Sequence, residues 1–466
     1  MTSTTLEPVS GLRDITKRQW ATLAGTTGGW GMEGFDVAIF ALVVGPAVTD
    51  LLGPGATPDQ IIFHAGLAIT VFLAAWALGA IVFGILADHF GRVRILTIGI
   101  LLYAVFTALT ALSHEYWLLL LFRFFAGLGS GVEAPVGATL MSETWNNRYR
   151  ARAIGIMMSG YAAGYFLASW VYGLLGPHGW RITLSVAVLP ALLVLFIRRF
   201  VREPEVMVRL QEDRKALRQN NDDEPRCAQP SGTAVERDDD PTTFALRRLF
   251  KRPLLRPTIA ATLIQVGALF SFWATSTWTP QIIREISIAD GLDAQTTAAN
   301  VTNATAMLTL GGFIGYATWG FIADWIGRRG AFLFSFSVSA VSVGFLYPMD
   351  HAYSTFLWVL PVVGFGIFGA LAGPSVYLPE IFPVGVRASA LSLTNSFARI
   401  FTAPGPLVAG SIAATYFAGD LGSAVTIMNL FLIVGVIGVL IGRETRNSYR
   451  EARPSATADP TLTPTD

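Results

Sequence analysis

The chain has 466 residues, of which 52% are hydrophobic and only 14% are charged, and its formal net charge is +1. A soluble globular domain usually carries about 25% charged residues, so this composition is typical of a protein that lies in a lipid bilayer. The small net charge excludes a broad basic surface for nucleic acid. The single cysteine, Cys227, excludes an internal disulfide.

Twelve apolar runs are long enough to cross a membrane, since a spanning helix needs about 20 mostly apolar residues. In the first half of the chain they cover 21–48, 62–86, 94–112, 116–140, 153–175 and 180–198. In the second half they cover 257–283, 299–323, 330–348, 354–378, 387–417 and 421–441. The pattern predicts an all-α integral membrane protein with twelve transmembrane helices, called spans 1 to 12 below.

A polar stretch divides the spans into two groups of six. It covers 199–255 and is rich in charge, Pro, Asn and Gln, a composition that cannot bury a core, so we expect it to be partly disordered. The predicted organisation is an N-terminal segment at 1–20, a six-helix bundle at 21–198, a central loop at 199–255, a second bundle at 256–442 and a flexible tail at 443–466.

A short signature occurs once in each half. Its first copy consists of Gly84, Asp88, Gly91 and Arg92, and its second copy consists of Gly320, Asp324, Gly327 and Arg328. A second pattern, Glu143 with Arg150 and Glu380 with Arg387, repeats at nearly the same spacing. Two independent patterns with one period indicate a duplicated chain, so we expect two pseudo-symmetric bundles.

Arginines mark one side of the predicted membrane. Arg92 and Arg94 follow span 2, Arg150 follows span 4, Arg328 follows span 8 and Arg387 follows span 10. The loops on the other side carry few basic residues. By the positive-inside rule both termini and the central loop are predicted to be cytoplasmic, in a multi-pass protein of the inner cell membrane.

These motifs resemble those of the major facilitator superfamily, whose loop signature is Gly-x3-Asp-x2-Gly-Arg. The run from Arg123 through Gly127 is similar to the fourth-helix motif of that family. Within it, the run Glu33-Gly-Phe-Asp36 resembles the Asp-Gly-x-Asp of aromatic acid and sialate:proton symporters, with Glu in the first position. The resemblance implies two six-helix bundles that expose a central site alternately to each side of the membrane.

The loop signatures are predicted to act as a cytoplasmic gate. A glycine permits a tight turn, and a carboxylate such as Asp88 or Asp324 can pair with an arginine or with a helix N-terminus. Such contacts would hold one state and break in the other, and Glu143, Arg150, Glu380 and Arg387 receive the same interpretation. The alternative is a set of static surface salt bridges.

Five ionisable residues fall inside predicted spans, where a charge is costly and usually functional. They are Glu33 and Asp36 in span 1, Arg123 and Glu133 in span 4, and Arg399 in span 11. Glu33 and Asp36 share a helix face, so burial and mutual repulsion favour a bound proton on one of them. We expect proton coupling by Asp36, Glu33 and Glu133, with a preference for Asp36; the alternative is a structural role.

Arginine binds carboxylates through a planar fork, so Arg123 and Arg399 favour an anionic substrate. The alternative, that both are neutralised by Glu33, Asp36 and Glu133, stays open at this point. Other residues expected to line the substrate pathway are Tyr161, Gln265, Trp273, Asn303, Tyr377 and Asn395. As a group these side chains suit a planar or hydroxylated organic acid.

We therefore expect proton-coupled uptake of a small carboxylated metabolite. An exporter that exchanges protons, or a sugar carrier of the same fold, is the alternative within this class. A membrane receptor or membrane-embedded enzyme is the alternative from another class, although the sequence shows no nucleophile set and no metal cluster. We expect no enzymatic activity, cofactor or metal. The expected partners are a small carboxylate, protons and the lipid bilayer, without nucleic acid, for a monomer.

Overall fold

The computed structural model describes residues 15–146, 149–212, 248–349, 351–402, 416–417 and 420–446. Regular structure in these ranges is helical. Large apolar side chains such as Trp117, Trp325 and Trp358 are more than two-thirds exposed, as expected where the neighbour is lipid rather than water. The predicted all-α membrane fold is confirmed.

Within the described ranges, the helices that follow the predicted spans are numbered α1 to α12. The first half contains α1 (Lys17–Leu52), α2 (Pro58–Phe90), α3 (Arg92–Ala111), α4 (Tyr116–Ser130 and Glu133–Thr144), α5 (Arg150–Leu175) and α6 (Trp180–Ser185 and Pro190–Phe200). The second half contains α7 (Leu255–Ala289), α8 (Ala294–Ile326), α9 (Arg328–Leu346), α10 (Tyr353–Ile381), α11 (Arg387–Thr402) and α12 (Leu421–Asn429 and Leu432–Ile441). Among the described residues, 10 helices are long and apolar enough to cross a bilayer, since α6 is interrupted and α11 is described only to Thr402.

Three predicted regions lie largely outside the described residues. Of the central loop, 213–247 is not described, while 205–212 is helical and Leu255 begins α7. Residues 1–14 and 447–466 also fall outside. The expected disorder of the central loop and flexibility of the tail therefore concern residues that the structure does not describe.

The two motif glycines set sharp turns between helices. Gly91 separates α2 from α3 with φ 108°, and Gly327 separates α8 from α9 with φ 88°. Both angles lie in the left-handed region that glycine enters without a steric penalty. Each turn therefore brings the following arginine, Arg92 or Arg328, back against the helix that it has just left.

The two halves meet mainly at the end of the molecule that carries these turns, called the gate face below. There α5 packs against α8, and α2 packs against α11. The contacts are close: Ser396 Oγ donates to the Ala77 carbonyl at 2.8 Å. Within the described ranges α1 and α7 make no contact of comparable extent. The structure is therefore closed at the gate face.

Candidate substrate and proton sites

A cavity of ≈ 70 Å³ lies between the two halves at the middle of the helices. Both halves contribute aromatic side chains to its wall: Trp30, Trp76, Tyr161, Phe272, Trp273 and Tyr316. Its polar groups come mainly from the second half and include Gln265, Asn395 and Arg399. The cavity thus combines flat apolar walls with one basic group, which is the usual composition of a site for a small organic ligand.

Arg399 is the cation of this cavity. Its Nε donates to Asn395 Oδ1 at 2.7 Å, and its Cζ lies 3.8 Å from the centroid of the Trp76 ring. Among the described residues no carboxylate forms an ion pair with Arg399, and its Nη groups have no hydrogen-bond partner. The guanidinium is held from one side and is open to a ligand on the other.

A chain of hydrogen bonds fixes the orientation of Arg399. Asn395 Nδ2 donates to Gln265 Oε1 at 2.9 Å, and Gln265 Nε2 donates to Thr394 Oγ1 at 2.8 Å. Because the amide of Asn395 is oriented by Gln265, its oxygen is directed to Arg399. The bonds join α7 to α11, so the predicted site residues Gln265, Asn395 and Arg399 form one unit.

Arg123, the second predicted substrate arginine, lies elsewhere. It is fully buried inside the first bundle, with its Nη1 3.6 Å from Asp36 Oδ2. It also donates to the hydroxyls of Thr107 and Thr110, and its Cζ lies 4.3 Å from the centroid of the Phe40 ring. In this state Arg123 holds Asp36 and does not line the central cavity.

Glu33 and Glu133 lie close together on facing helices. Both side chains are fully buried, and neither carboxylate has a hydrogen-bond partner among the described residues. Glu133 is packed directly against α1, since a Cβ added to Gly29 would lie 2.5 Å from Glu133 Oε2. Gly29 is one helical turn before Glu33 and on the same face, so the two carboxylates are neighbours.

Of the remaining predicted residues, Tyr161 and Trp273 line the cavity, and the ring of Tyr161 lies 4.8 Å from that of Trp30. Asn303 and Tyr377 do not line it: Asn303 is exposed on α8, and the Tyr377 hydroxyl donates to the Arg443 carbonyl at 2.7 Å. Sequence reasoning missed Trp30, Trp76 and Tyr316. A tryptophan beside a predicted charged residue, as Trp30 is beside Glu33, was the available signal.

At the gate face the first signature closes the contact between α2 and α11. Asp88 is fully buried and accepts hydrogen bonds from Ser389 N at 2.8 Å, Ser389 Oγ at 2.7 Å and Ala388 N at 3.3 Å. These groups belong to the first turn of α11, whose partial positive charge attracts the carboxylate. Arg92 Nη2 adds an ion pair to Asp88 at 3.0 Å.

The second signature closes the contact between α5 and α8 in another way. Asp324 pairs with Arg152 Nε of the other half at 3.0 Å and with Arg328 Nη1 at 3.1 Å. The side chains of Asp324 and Arg152 are 17% and 39% exposed. Asp324 thus contacts the other half through an arginine side chain at the surface, whereas Asp88 contacts it through buried backbone groups.

The two gate glutamates do not bind the arginines that follow them in sequence. Glu143 binds Arg92 Nε at 3.1 Å in its own half and Arg387 Nη1 at 3.2 Å in the other half. Glu380 binds Arg328 Nη2 at 2.8 Å and the Thr445 hydroxyl. The turn at each motif glycine places the arginine beside the glutamate, which the linear spacing does not reveal.

Two further glutamates, missed in the sequence, cap the helices that follow these turns. Glu203 accepts from the amides of Arg92 and Val93, and Glu444 accepts from those of Arg328 and Arg329. Burial raises the pKa of Glu203. Burial acts in the same direction on Glu444, but hydrogen bonds from four backbone amides outweigh it and lower the pKa of that carboxyl.

The chain belongs to the Major Facilitator Superfamily, because the family profile matches residues 31–406. It is therefore a membrane transporter with the fold of that family, and not an enzyme. It is 30% identical to a putative metabolite transport protein of Haemophilus influenzae over 90% of this chain and 94% of the relative. It is 29% identical to a cis,cis-muconate transport protein of Acinetobacter baylyi over 82% of this chain and 86% of the relative.

Solved structures support the same fold. The proton:xylose symporter XylE matches with a TM-score of 0.69 over 92% of this chain and 97% of XylE, at 16% sequence identity. An identity this low shows the fold alone. The fold predicted from the repeated signatures, two pseudo-symmetric six-helix bundles, is confirmed.

Proposed function

We propose that this protein takes up a small carboxylated organic acid together with protons by alternating access. The observation that carries the proposal is Arg399, a basic group in the central cavity whose Nη groups have no partner among the described residues. An arginine fork suits a carboxylate. The carboxylate of the substrate would bind the Nη groups of Arg399.

The shape and lining of the cavity favour a planar acid. Trp76 lies against Arg399, and the aromatic rings of Trp30, Tyr161 and Trp273 form further parts of the wall. The relationship to a cis,cis-muconate transport protein agrees with an unsaturated or aromatic carboxylate as the cargo.

Proton coupling is proposed for the buried carboxylates of α1 and α4. Glu33, Asp36 and Glu133 are fully buried, and a carboxylate in a bilayer remains only when it is paired or protonated. A conformational change that opens the gate face would alter this environment and release the proton.

The gate is proposed to hold the state described here. Asp88, Arg152, Asp324 and Arg387 join the halves at the gate face, so this state is assigned as closed to the cytoplasm. We further propose the domain limits given above, cytoplasmic termini in the cell membrane, and a monomer as the working unit.

Uptake into proteoliposomes tests the proposal. Labelled benzoate, cis,cis-muconate, a sugar acid and xylose would be offered with and without an imposed gradient that is acidic outside. The expected result is accumulation of at least one acid only with the gradient, and no uptake of xylose. Accumulation of xylose, or acid exit driven by an inward proton gradient, would replace the proposal by the sugar-carrier or exporter alternative.

A further inference from the structure

The neighbouring carboxylates Glu33 and Glu133 differ from every other buried acid described in the bundle interior. All six carboxylate oxygens of Glu33, Asp36 and Glu133 are buried without a hydrogen-bond partner among the described residues. Asp36 has the Arg123 guanidinium at 3.6 Å, whereas neither Glu33 nor Glu133 forms an ion pair in the described part of the chain. Glu133 opens the second piece of α4 and lies against Gly29 of α1. This pair is called the Glu33–Glu133 dyad below.

The titratable groups around the dyad come from four helices, α1, α3, α5 and α11. Glu133 is the charged group that acts most strongly on Glu33, followed by Arg399 from α11 and Asp36 from α1 itself. Tyr103 of α3 lies within electrostatic range of both members of the dyad, and Tyr161 of α5 lies within that range of Glu33. Glu33 is in turn the carboxylate that acts most strongly on Arg399. Arg399 is thus the cation shared by the dyad and the cavity.

The dyad lies directly behind the cavity wall. Trp30, which precedes Glu33 by less than one helical turn, and Ala134, which follows Glu133, both line the cavity that contains Arg399. Charge in the cavity therefore acts on the dyad through a thin apolar layer, where Coulomb interactions are much stronger than in water.

The number of protons bound to the dyad follows from the need for charge neutrality at the site. Two adjacent carboxylates that lack partners cannot both stay ionised in an apolar site, so one proton is shared between them. The dyad then carries one negative charge, which balances Arg399. A substrate carboxylate that binds Arg399 removes this balance and leaves one uncompensated negative charge.

We propose that the Glu33–Glu133 dyad is the proton-coupling site, and that it takes up its second proton when a substrate carboxylate binds Arg399. The loaded transporter then carries one substrate charge and one proton, so no net charge is added to the site as it crosses the membrane. Asp36 is assigned a different role, as the fixed partner of Arg123. The inference rests on the proposed function and names the residues that couple substrate to proton.

Binding measured as a function of pH tests this assignment in the full-length purified protein. Proton uptake on binding requires the dissociation constant of benzoate to rise with pH, by up to about tenfold per pH unit. Calorimetry in buffers of different ionisation enthalpy would count up to one proton taken up per benzoate.

Two isosteric variants distinguish the role of Glu33 from that of Glu133. Glu33→Gln removes the balancing charge of Arg399, so benzoate should bind with little pH dependence and should exchange without being accumulated. Glu133→Gln replaces the protonated partner of Glu33 by a neutral amide of the same shape, so the pH dependence of benzoate binding should persist. Asp50→Asn, at the far end of the same helix, is the matched control and should keep the wild-type profile.

The outcomes are distinct. A wild-type protein that binds no acid, or binds it without pH dependence, overturns the proposed function and this inference together. A wild-type pH dependence that both Glu33→Gln and Glu133→Gln retain overturns the dyad alone and returns the coupling role to Asp36.

A measurement without mutation covers the case in which the variants fail to fold. Dicyclohexylcarbodiimide reacts with protonated carboxyl groups in apolar surroundings, and peptide mapping locates the adduct. The expected adduct is on Glu33 or Glu133, with faster labelling when benzoate is bound. Labelling of Asp36 alone, or of neither dyad residue, would contradict the assignment.

Discussion

The same signature closes the gate face twice, by two different physical devices. Asp88 is buried and accepts hydrogen bonds from the first turn of α11, whereas Asp324 is partly exposed and bound by Arg152 and Arg328. A buried carboxylate on backbone amides is little affected by salt, while a surface ion pair is screened. The two copies of the signature therefore need not contribute equally to the stability of the closed gate. The α2–α11 contact is expected to be the stronger of the two.

The largest effects are expected at the first glycine of each signature. A Cβ on Gly320 would lie 2.1 Å from the Ala151 carbonyl oxygen and 2.4 Å from its carbonyl carbon, whereas a Cβ on Gly84 would lie 2.2 Å from Ser392 Oγ and 2.5 Å from Ser392 Cβ. Of these atoms only Ser392 Oγ can rotate away, so Gly320→Ala should weaken the closed gate by about 3 kcal/mol and Gly84→Ala by somewhat less. Ser375 of α10 lines the central cavity. The readout is the rate at which an impermeant maleimide labels the variant Ser375→Cys in inverted vesicles, in a Cys227→Ser background.

A matched control and a rescue sharpen the glycine comparison. Gly344→Ala in α9 places its Cβ in open space and should leave labelling unchanged. Ser392→Gly should partly rescue Gly84→Ala, because it removes the side chain that the new methyl group meets. Equal labelling rates for Gly320→Ala and Gly344→Ala would contradict the close α5–α8 contact.

The next largest effects are expected at the signature aspartates, where substitution of Asp88 should weaken the closed gate more than substitution of Asp324. Asp88→Asn keeps the shape of the side chain but turns an amide group toward the amides of α11, and hydrogen bonds to a charged group contribute about 1.5–3 kcal/mol. A loss of about 2 kcal/mol corresponds to roughly 30-fold faster maleimide labelling from the gate face. Asp324→Asn should cost less than about 1 kcal/mol and only at low salt. The reverse order would refute the proposed difference between the two copies.

Substitution of the capping glutamates Glu203 and Glu444 should change the stability of the protein least. The stability contributions of these two carboxyl groups should depend on pH in opposite directions. The pKa of Glu444 is lowered from 4.5, so its ionised form contributes stability above that value, which is lost as pH falls through the lowered pKa. The pKa of Glu203 is raised from 4.5, so its contribution declines as pH rises from 4.5 through the raised pKa.

Melting temperatures between about pH 4 and pH 8 measure this difference. Glu444→Gln should lower the melting temperature slightly at neutral pH, and the loss should shrink toward low pH. Glu203→Gln should cause no loss at neutral pH, because its neutral amide resembles the protonated acid that the fold favours. A larger loss of melting temperature for Glu203→Gln than for Glu444→Gln at neutral pH would contradict the predicted pH dependence of the two carboxyl groups.

The fold was predictable because hydrophobic run length and repeated loop motifs are local properties of the chain. The helix breaks at Gly131 and around Val186 were not predicted, since apolar composition continues across them. Glycine turns at Gly91 and Gly327 were predictable because the motif itself contains them.

The site was only partly predictable, because pairing between helices depends on rotation about each helix axis. Arg123 and Arg399 were both expected to bind the substrate, but only the packing shows Arg123 facing Asp36 and Arg399 facing the cavity. The same limit explains why Asn303 and Tyr377 were expected in the pathway. Long-range caps such as Glu203 and Glu444 could not be paired with their helices from sequence spacing.

The most direct test of the central claim compares binding of benzoate with that of benzamide, which has the same ring without the charge. If Arg399 binds a carboxylate, wild-type protein should prefer benzoate, and Arg399→Gln should weaken benzoate binding by roughly 10-fold to 100-fold. Arg181→Gln, at a partly exposed arginine that pairs with Asp50, should bind benzoate as the wild type does. Equal affinity for the two compounds, or unchanged benzoate binding in Arg399→Gln, would contradict the account.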